Sequence, residues 1–393
     1  MKLQVRDPIK IRTLEEYRKY LYGCRFCPMC KPASDVANVT FLESHTTRAR
    51  AMMLWRILNG YSDFSERDVE LLYQSTLDSI SWCWCVHHYP VSEYILSARN
   101  EVLKRGIIPD CVKQVLDESS NNISDGISLS SDTIFLSSEI GESGSSIASE
   151  IALEIIKMVY SNAEEVRMNL GNLHFNLGDF DETIKRANGL VELLDKTKTT
   201  VKYIIADGPY TLWMLVVVFP SLGIKLPDSI NVLSLDEVIY RTLKEKKLDS
   251  QKISRELKDI PESKVFFYDA RVASFLAEQL TEQAAILPEF DGPEEALGKG
   301  NIYELPRKIL KTVGFQSVHS VWSRSLAKSC GVEGGLWKTY PSLAEKLSKK
   351  CIEIAADSGA EILVTNSFLC YQQLKKAGES SIKIKWLPEL FNV

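Results

Sequence analysis

The sequence predicts an α+β protein overall: a small helical N-terminal domain followed by two pseudo-repeated α/β halves. Three observations carry this. The chain has 393 residues, 45% hydrophobic and 25% charged, with a formal net charge of −5; these values are ordinary for a globular protein, and the length suits two or three domains with their own cores. Residues 14–105 place apolar side chains at helical spacing, whereas beyond residue 133 short β-rich runs alternate with helices, the pattern of parallel α/β units. Between them lies a Ser/Asn/Asp-rich, weakly apolar stretch that reads as a linker. The expected division is a helical domain over 1–116, a linker over 117–132, and halves over 133–255 and 256–393. This composition excludes a disordered chain, a collagen and a coiled coil, and its mild acidity argues against a nucleic-acid partner.

In chain order, the first twenty residues carry no apolar run behind their charges, so no secretory signal is expected. The expected location is cytoplasmic, with a peripheral position on the inner face of a membrane as the variant. Arg48 to Leu58 reads as a helix stopped at Gly60, and Ser65 is a helix N-cap for a second helix ending at Tyr73. Val91 to Lys104 is a third, ended by Gly106 and Pro109. Strands are expected at 133–136, 202–206, 265–268 and 361–365, and helices at 147–160, 210–219, 343–356 and up to Lys376. The run from Thr211 to Phe219 is the longest apolar stretch; a membrane span needs about 20 such residues, so it reads as a buried helix. An internal echo sets Ala206 on Thr365: in each segment a strand, a sharp turn and a helix start follow one another.

Five of the nine cysteines fall in two short clusters near the N-terminus. Cys24-Arg-Phe-Cys27-Pro-Met-Cys30 is C-x2-C-x2-C, three-quarters of the bacterial ferredoxin run C-x2-C-x2-C-x3-C. Three thiolates in one tight loop cap three corners of an iron–sulfur cube, and in two-cluster ferredoxins the fourth comes from the other motif. The second motif has the same spacing, but Ser75, Asp78 and Ser81 stand in its first three positions, and its last, Cys85, is intact. Crossed ligation then makes Cys24, Cys27, Cys30 and Cys85 one complete [4Fe–4S] site. It leaves Ser34, Ser75, Asp78 and Ser81 as an erased second one. In another register, ending at Tyr89-Pro90, Cys83 is the rival fourth ligand, with His87 or His88 behind it. A zinc site on the same thiols is the alternative metal. Trp82 and Trp84 read either as a shield for the site or as core. Arg48 and Arg50 read as a solvated helix face or a partner contact.

Residues 14–110 resemble the N-terminal domain of iron–sulfur subunits related to heterodisulfide reductase. That group includes the subunits of anaerobic glycerol-3-phosphate dehydrogenase and glycolate/lactate oxidases. The marks are Cys24 to Cys30, Thr47 to Gly60, Leu72 to Asp78 and Pro90 to Arg99. Residues 133–390 resemble the tandem CCG domains that follow in that family, most clearly at Tyr303 to Leu310, Ser329-Cys330-Gly331 with Gly334-Gly335, and Leu363 to Cys370. The first half is marked at Gly171 to Asp179 and at Ala206 to Thr211. The resemblance implies a ferredoxin-type first domain and CCG-like halves that have lost their own ligands. Only Cys330 and Cys370 remain in the second half, with Ser329 and Ser367 where sulfur is expected and Arg271 near the upstream site. Asn169-Leu170, Gly208 and Thr211 fill the first half's positions. Cys330 and Cys370 read as buried small residues.

The expected function is therefore that of an electron-transfer subunit. One [4Fe–4S] cluster would relay electrons from a flavoprotein dehydrogenase subunit to a quinone-linked, membrane or further carrier. No catalytic residue of its own is expected. The alternative is a non-redox structural subunit with a zinc or vestigial metal site.

Overall fold

A computed structural model describes residues 12–119, 129–197, 201–245, 248, 263–279, 301–378 and 382–391. The N-terminal lobe is helical, as expected. Its helices include Arg18–Cys24, Thr47–Leu58, Glu66–Tyr73, Val91–Lys104 and Asp110–Ser119. Thr46 caps the second, accepting from the Ala49 amide at 3.2 Å. Ser65 and Asp68 cap the third reciprocally: the Asp68 amide donates to the Ser65 hydroxyl and the Ser65 amide to the Asp68 carboxylate, which satisfies two otherwise unpaired amides. The lobe's last helix runs to Ser119, three residues into the segment expected to be linker. Residues 120–128 lie outside the described residues.

The remainder holds two four-stranded parallel sheets. In the first, β1 (Thr133–Ser137), β2 (Glu164–Arg167), β3 (Tyr203–Ala206) and β4 (Asn231–Ser234) lie in the order β2-β1-β3-β4. In the second, β5 (Lys264–Phe267), β6 (Gln316–Val318), β7 (Ile362–Thr365) and β8 (Lys383–Trp386) repeat it as β6-β5-β7-β8. Every pairing is parallel. Ala206 and Thr365, matched by the sequence echo, are the last residues of the equivalent strands β3 and β7. The expected boundary at 255/256 lies outside the described residues. The apolar run 211–219 is buried as expected, but between Met214 and Val218 it widens into a π-helical turn. Among the described residues no helix is long and apolar enough to cross a membrane.

In sheets of this order the strands stay parallel, but the side on which the chain adds the next strand switches between β1 and β3, and between β5 and β7. Open α/β sheets bind ligands at the carboxyl ends there. Here the two switch points face one another and close. Ser367, after β7, donates to Glu139, after β1, at 2.7 Å, and Glu139 also accepts from the Tyr210 amide at 2.7 Å. The Tyr210 hydroxyl crosses back to Glu333 at 2.5 Å.

One fully buried side chain ties this body to the N-terminal lobe. Arg99, on the helix Val91–Lys104, donates to the carbonyls of Leu72, Tyr73 and Ser75 in its own lobe. It also reaches those of Asn176 in the first half and Gly334 in the second. The contact is so close that a Cβ at Gly334 would stand 2.0 Å from the Ser75 carbonyl oxygen, and Gly334 has φ of +73°, so glycine is required on both counts.

Candidate metal centre

Cys24 is the last residue of the helix Arg18–Cys24. The chain then turns tightly: the Cys27 amide donates to the Cys24 carbonyl at 3.1 Å, Lys31 to Pro28 at 3.0 Å, and Ala33 to Cys30 at 3.0 Å. The second cluster follows the single turn Ser81–Trp84, and the Tyr89 amide donates to the Cys85 sulfur at 3.4 Å. The two segments meet so closely that a Cβ on Gly23 would lie 2.6 Å from the Tyr89 hydroxyl.

The structure brings Cys24, Cys27, Cys30 and Cys85 into one electrostatic neighbourhood. Burial, and then the fields of Cys30, Cys85 and Cys27, push the Cys24 thiol up to about 12, although the Tyr94 hydroxyl, 3.6 Å from its sulfur, opposes the rise. Burial likewise raises Cys30, which the Ser81 and Thr47 hydroxyls partly offset. Cys24 and Cys30 are buried and Cys27 is exposed. Cys83 points elsewhere: its sulfur takes a contact from the Arg271 guanidinium at 3.8 Å, in the second half. Among the described residues no group of three or more His, Cys, Asp or Glu could hold a metal ion as it stands, so the thiols are neighbours through charge rather than closed on a point. Four thiols are the donor set of a zinc ion or of an iron–sulfur cluster. Four sulfurs come from two segments, and hydroxyl or amide donors reach three of them.

Positions 34, 78 and 81, expected to be an erased second site, lie around a buried guanidinium. Arg50, expected on a solvated or partner-facing surface, is instead completely buried, among backbone carbonyls that receive its guanidinium. It pairs with Asp78 at 2.9 Å and donates to the carbonyls of Leu71, His45 and Gln74. Ser34 donates to the same His45 carbonyl. Thr47 bonds both Asp78 and Ser81, at 3.2 and 2.7 Å. Ser34, Asp78 and Ser81 thus join one polar network that ends on Cys30. Ser75 is buried beside it, with no partner for its hydroxyl. Arg48 is half-exposed and donates to the Arg25 carbonyl.

In the two sheet-bearing halves, hydroxyls pair with buried carboxylates. Ser329 donates to Glu333, and Ser367 to Glu139. The backbone of Arg271 donates to Glu333 at 3.1 Å. Thr211 donates to Asp207 at 2.5 Å. Cys330 and Cys370 are completely buried. Burial raises the carboxyl of Glu139, and the neighbouring Asp207 charge adds to the rise; burial raises Asp207 too. Unfolded carboxyls ionise near about 4, so between that pH and the raised values the folded chain binds more protons than the unfolded one. Stability should therefore fall as pH rises. Asp236 and Glu237, raised by burial to about 6 and about 7, act in the same direction. The urea midpoint is expected to drop steadily between pH 5 and 8, and Glu139→Gln to shallow the slope; a flat profile would contradict this assignment.

Several contributors escaped the sequence reading. Tyr94 has a signal in hindsight: it lies one turn into a helix whose start abuts the second cysteine cluster. Thr47 and Arg50 sit on a helix whose polar residues pass for a surface face. Trp84 stacks on Trp322 of the second half, with ring centres 6.1 Å apart. His87 stacks on Tyr89, and His88 contacts Trp82; both histidines are exposed.

Compared with known proteins, the chain matches no family model and no curated protein. Three chains of solved structures match it. One is a hypothetical protein from Helicobacter pylori, 12% identical, with a TM-score of 0.48, over 95% of this chain and 74% of that one.

Proposed function

We propose that the protein is an electron-transfer subunit holding one [4Fe–4S] cluster on Cys24, Cys27, Cys30 and Cys85. The observation that supports this reading is that Cys30, Cys85 and Cys27, from two segments, all act electrostatically on Cys24, while Cys83 contacts Arg271. When bound, such a cluster supplies one-electron transfer. The protein's own residues hold and insulate it. Tyr94, Ser81, Thr47 and the Tyr89 amide direct hydrogen bonds at the sulfurs, one of the levers by which a protein sets a potential. Burial of Cys24 and Cys30 keeps water from one side.

The other side is open and apolar. Tyr22, Phe26 and Met29, each more than half exposed, flank the exposed Cys27, and Phe41 and Val86 lie further along the same lobe. Exposed apolar surface of this kind marks contact sites. It supports docking of a flavoprotein dehydrogenase subunit over the loop, with a quinone-linked or membrane carrier as acceptor. The organic chemistry would then belong to the partner's flavin. In this reading the chain carries no catalytic residue of its own, and its two sheet-bearing halves serve as scaffold.

Iron content of two variants tests the ligand set. Cys85→Ser is expected to lose most of its iron when purified without air, while Cys83→Ser retains it. The reverse outcome would transfer the fourth position to Cys83.

A further inference from the structure

Three side chains where the N-terminal lobe meets the first half form a relay that the thiol site does not use. Ser119 ends the helix Asp110–Ser119. His174 lies on the short helix Asn172–Leu177, and Asp179 caps the helix Phe180–Lys196. The Ser119 hydroxyl is 3.0 Å from His174 Nε2, and His174 Nδ1 is 2.9 Å from Asp179 Oδ2. Ser119 stands 55 positions from His174, so only the fold aligns them.

The carboxylate decides where the protons sit. Burial by itself raises Asp179, but hydrogen bonds from His174 and from the Glu182 amide outweigh it and hold the carboxyl below its usual range. Ionised Asp179 can only accept, so it fixes the proton of the neutral imidazole on Nδ1. Nε2 is then an acceptor aimed at the Ser119 hydroxyl. Nucleophile, base and orienting carboxylate stand in this relation in acyl-transfer enzymes of unrelated folds, where geometry and not sequence order identifies them.

The surroundings hold the relay in place. Arg99 donates to the Asn176 carbonyl and Asn100 to the Gly178 carbonyl, which clamps the helix of His174 to the lobe. Arg186, itself buried, donates to the Ser119 carbonyl at 2.7 Å. The imidazole is 1% exposed. Ser119 is half-buried, and its hydroxyl has a second acceptor, the Leu116 carbonyl, at 3.1 Å. The helix end is therefore fastened through backbone carbonyls without the imidazole, and a purely structural role leaves the relay unexplained.

We propose that Ser119 is the nucleophile of a separate acyl-transfer site for small, neutral carboxylic esters, with His174 as general base and Asp179 as its positioning residue. Ser119 Oγ attacks the ester carbonyl carbon while its proton passes to His174 Nε2. The bond from that carbon to the alcohol oxygen breaks, and the alcohol leaves with the proton. Water then gives a proton to Nε2 and attacks the acyl-serine; the carboxylic acid departs and the proton returns to Ser119. Asp179 and Glu182 beside the relay disfavour an anionic acyl group. The site stands apart from the electron-transfer reading, which itself calls for no catalytic residue, and it depends on no metal.

Diisopropyl fluorophosphate, which phosphorylates activated serines, and 4-nitrophenyl acetate test it on the full chain. The expected results are a single phosphoryl label, placed on Ser119 by peptide fragmentation, and sustained release of nitrophenolate beyond one per chain. Ser119→Ala should abolish the label and the sustained release; the cysteines, present in both proteins, contribute equally. Asp179→Asn keeps a helix cap but lets the imidazole carry its proton on the wrong nitrogen, so labelling should slow by about a hundredfold or more while the urea midpoint barely moves. Absence of label from Ser119, absence of sustained release, or equal labelling of Asp179→Asn would each overturn the inference.

Discussion

Asp78→Ala is expected to destabilise the protein by about 3–5 kcal/mol, the usual cost of leaving one member of a buried ion pair alone. Both side chains of the Arg50–Asp78 pair are completely buried, so no water replaces the lost carboxylate. Asp78 also has φ of +46°, a conformation asparagine tolerates and alanine does not. Asp78→Asn should therefore lose less, keeping the backbone and an acceptor for Arg50 but not the charge. Arg50→Met combined with Asp78→Asn should recover much of the stability, since an apolar side chain of similar length often replaces a buried pair at little cost. Urea midpoints at constant slope measure all three. A loss below about 1 kcal/mol for Asp78→Ala would mean that Arg50 reaches water, as exposed pairs do. The network also ends on Cys30 through Thr47 and Ser81, so this substitution should disturb the thiol site as well as the fold.

Arg99→Met is expected to cost about 4 kcal/mol or more, because hydrogen bonds from a buried charged donor are worth roughly 1.5–3 kcal/mol each. Its guanidinium serves five carbonyls from three parts of the chain. Burial lowers its pKa to about 10, so the carbonyls hold the charge in place against desolvation. Arg99→Lys should rescue little, because a point ammonium cannot span a fork of acceptors. Beyond lower stability, the joint between the lobe and the body should loosen. Hydrogen exchange is expected to accelerate at Leu72–Ser75 and near Gly334 before it does in β1 and β3. Uniform acceleration everywhere would contradict the role of Arg99 as the joint.

The sequence made the middle of each sheet legible and the edges obscure. The four strands expected from it, β1, β3, β5 and β7, are the inner pair of each sheet. They are covered on both faces and read as unbroken apolar runs such as Ile134-Phe135-Leu136 and Ile362-Leu363-Val364. The four it missed, β2, β4, β6 and β8, are all edges. Glu164-Glu165-Val166-Arg167 and Lys383-Ile384-Lys385-Trp386 place charges on the exposed side, as edge strands do, and a four-residue mixed run does not stand out from a loop. The cysteine spacing pointed to Cys24, Cys27 and Cys30 but left Cys83 and Cys85 as rivals. Only the turn of one short helix, which sends Cys83 toward Arg271, separates them. The Arg50 network was hidden for another reason: a buried arginine is recognisable only by the acceptors around it, and its three carbonyls and the Asp78 carboxylate lie 5 to 28 positions away.

The central claim is that four thiols from two segments enclose one iron–sulfur cube. Iron, sulfide and zinc analysis of the full chain, purified without exposure to air, tests it most directly. The account predicts about four irons and four sulfides per chain, with broad visible absorption that bleaches on reduction. One zinc per chain without colour or sulfide, or neither metal at all, would contradict it.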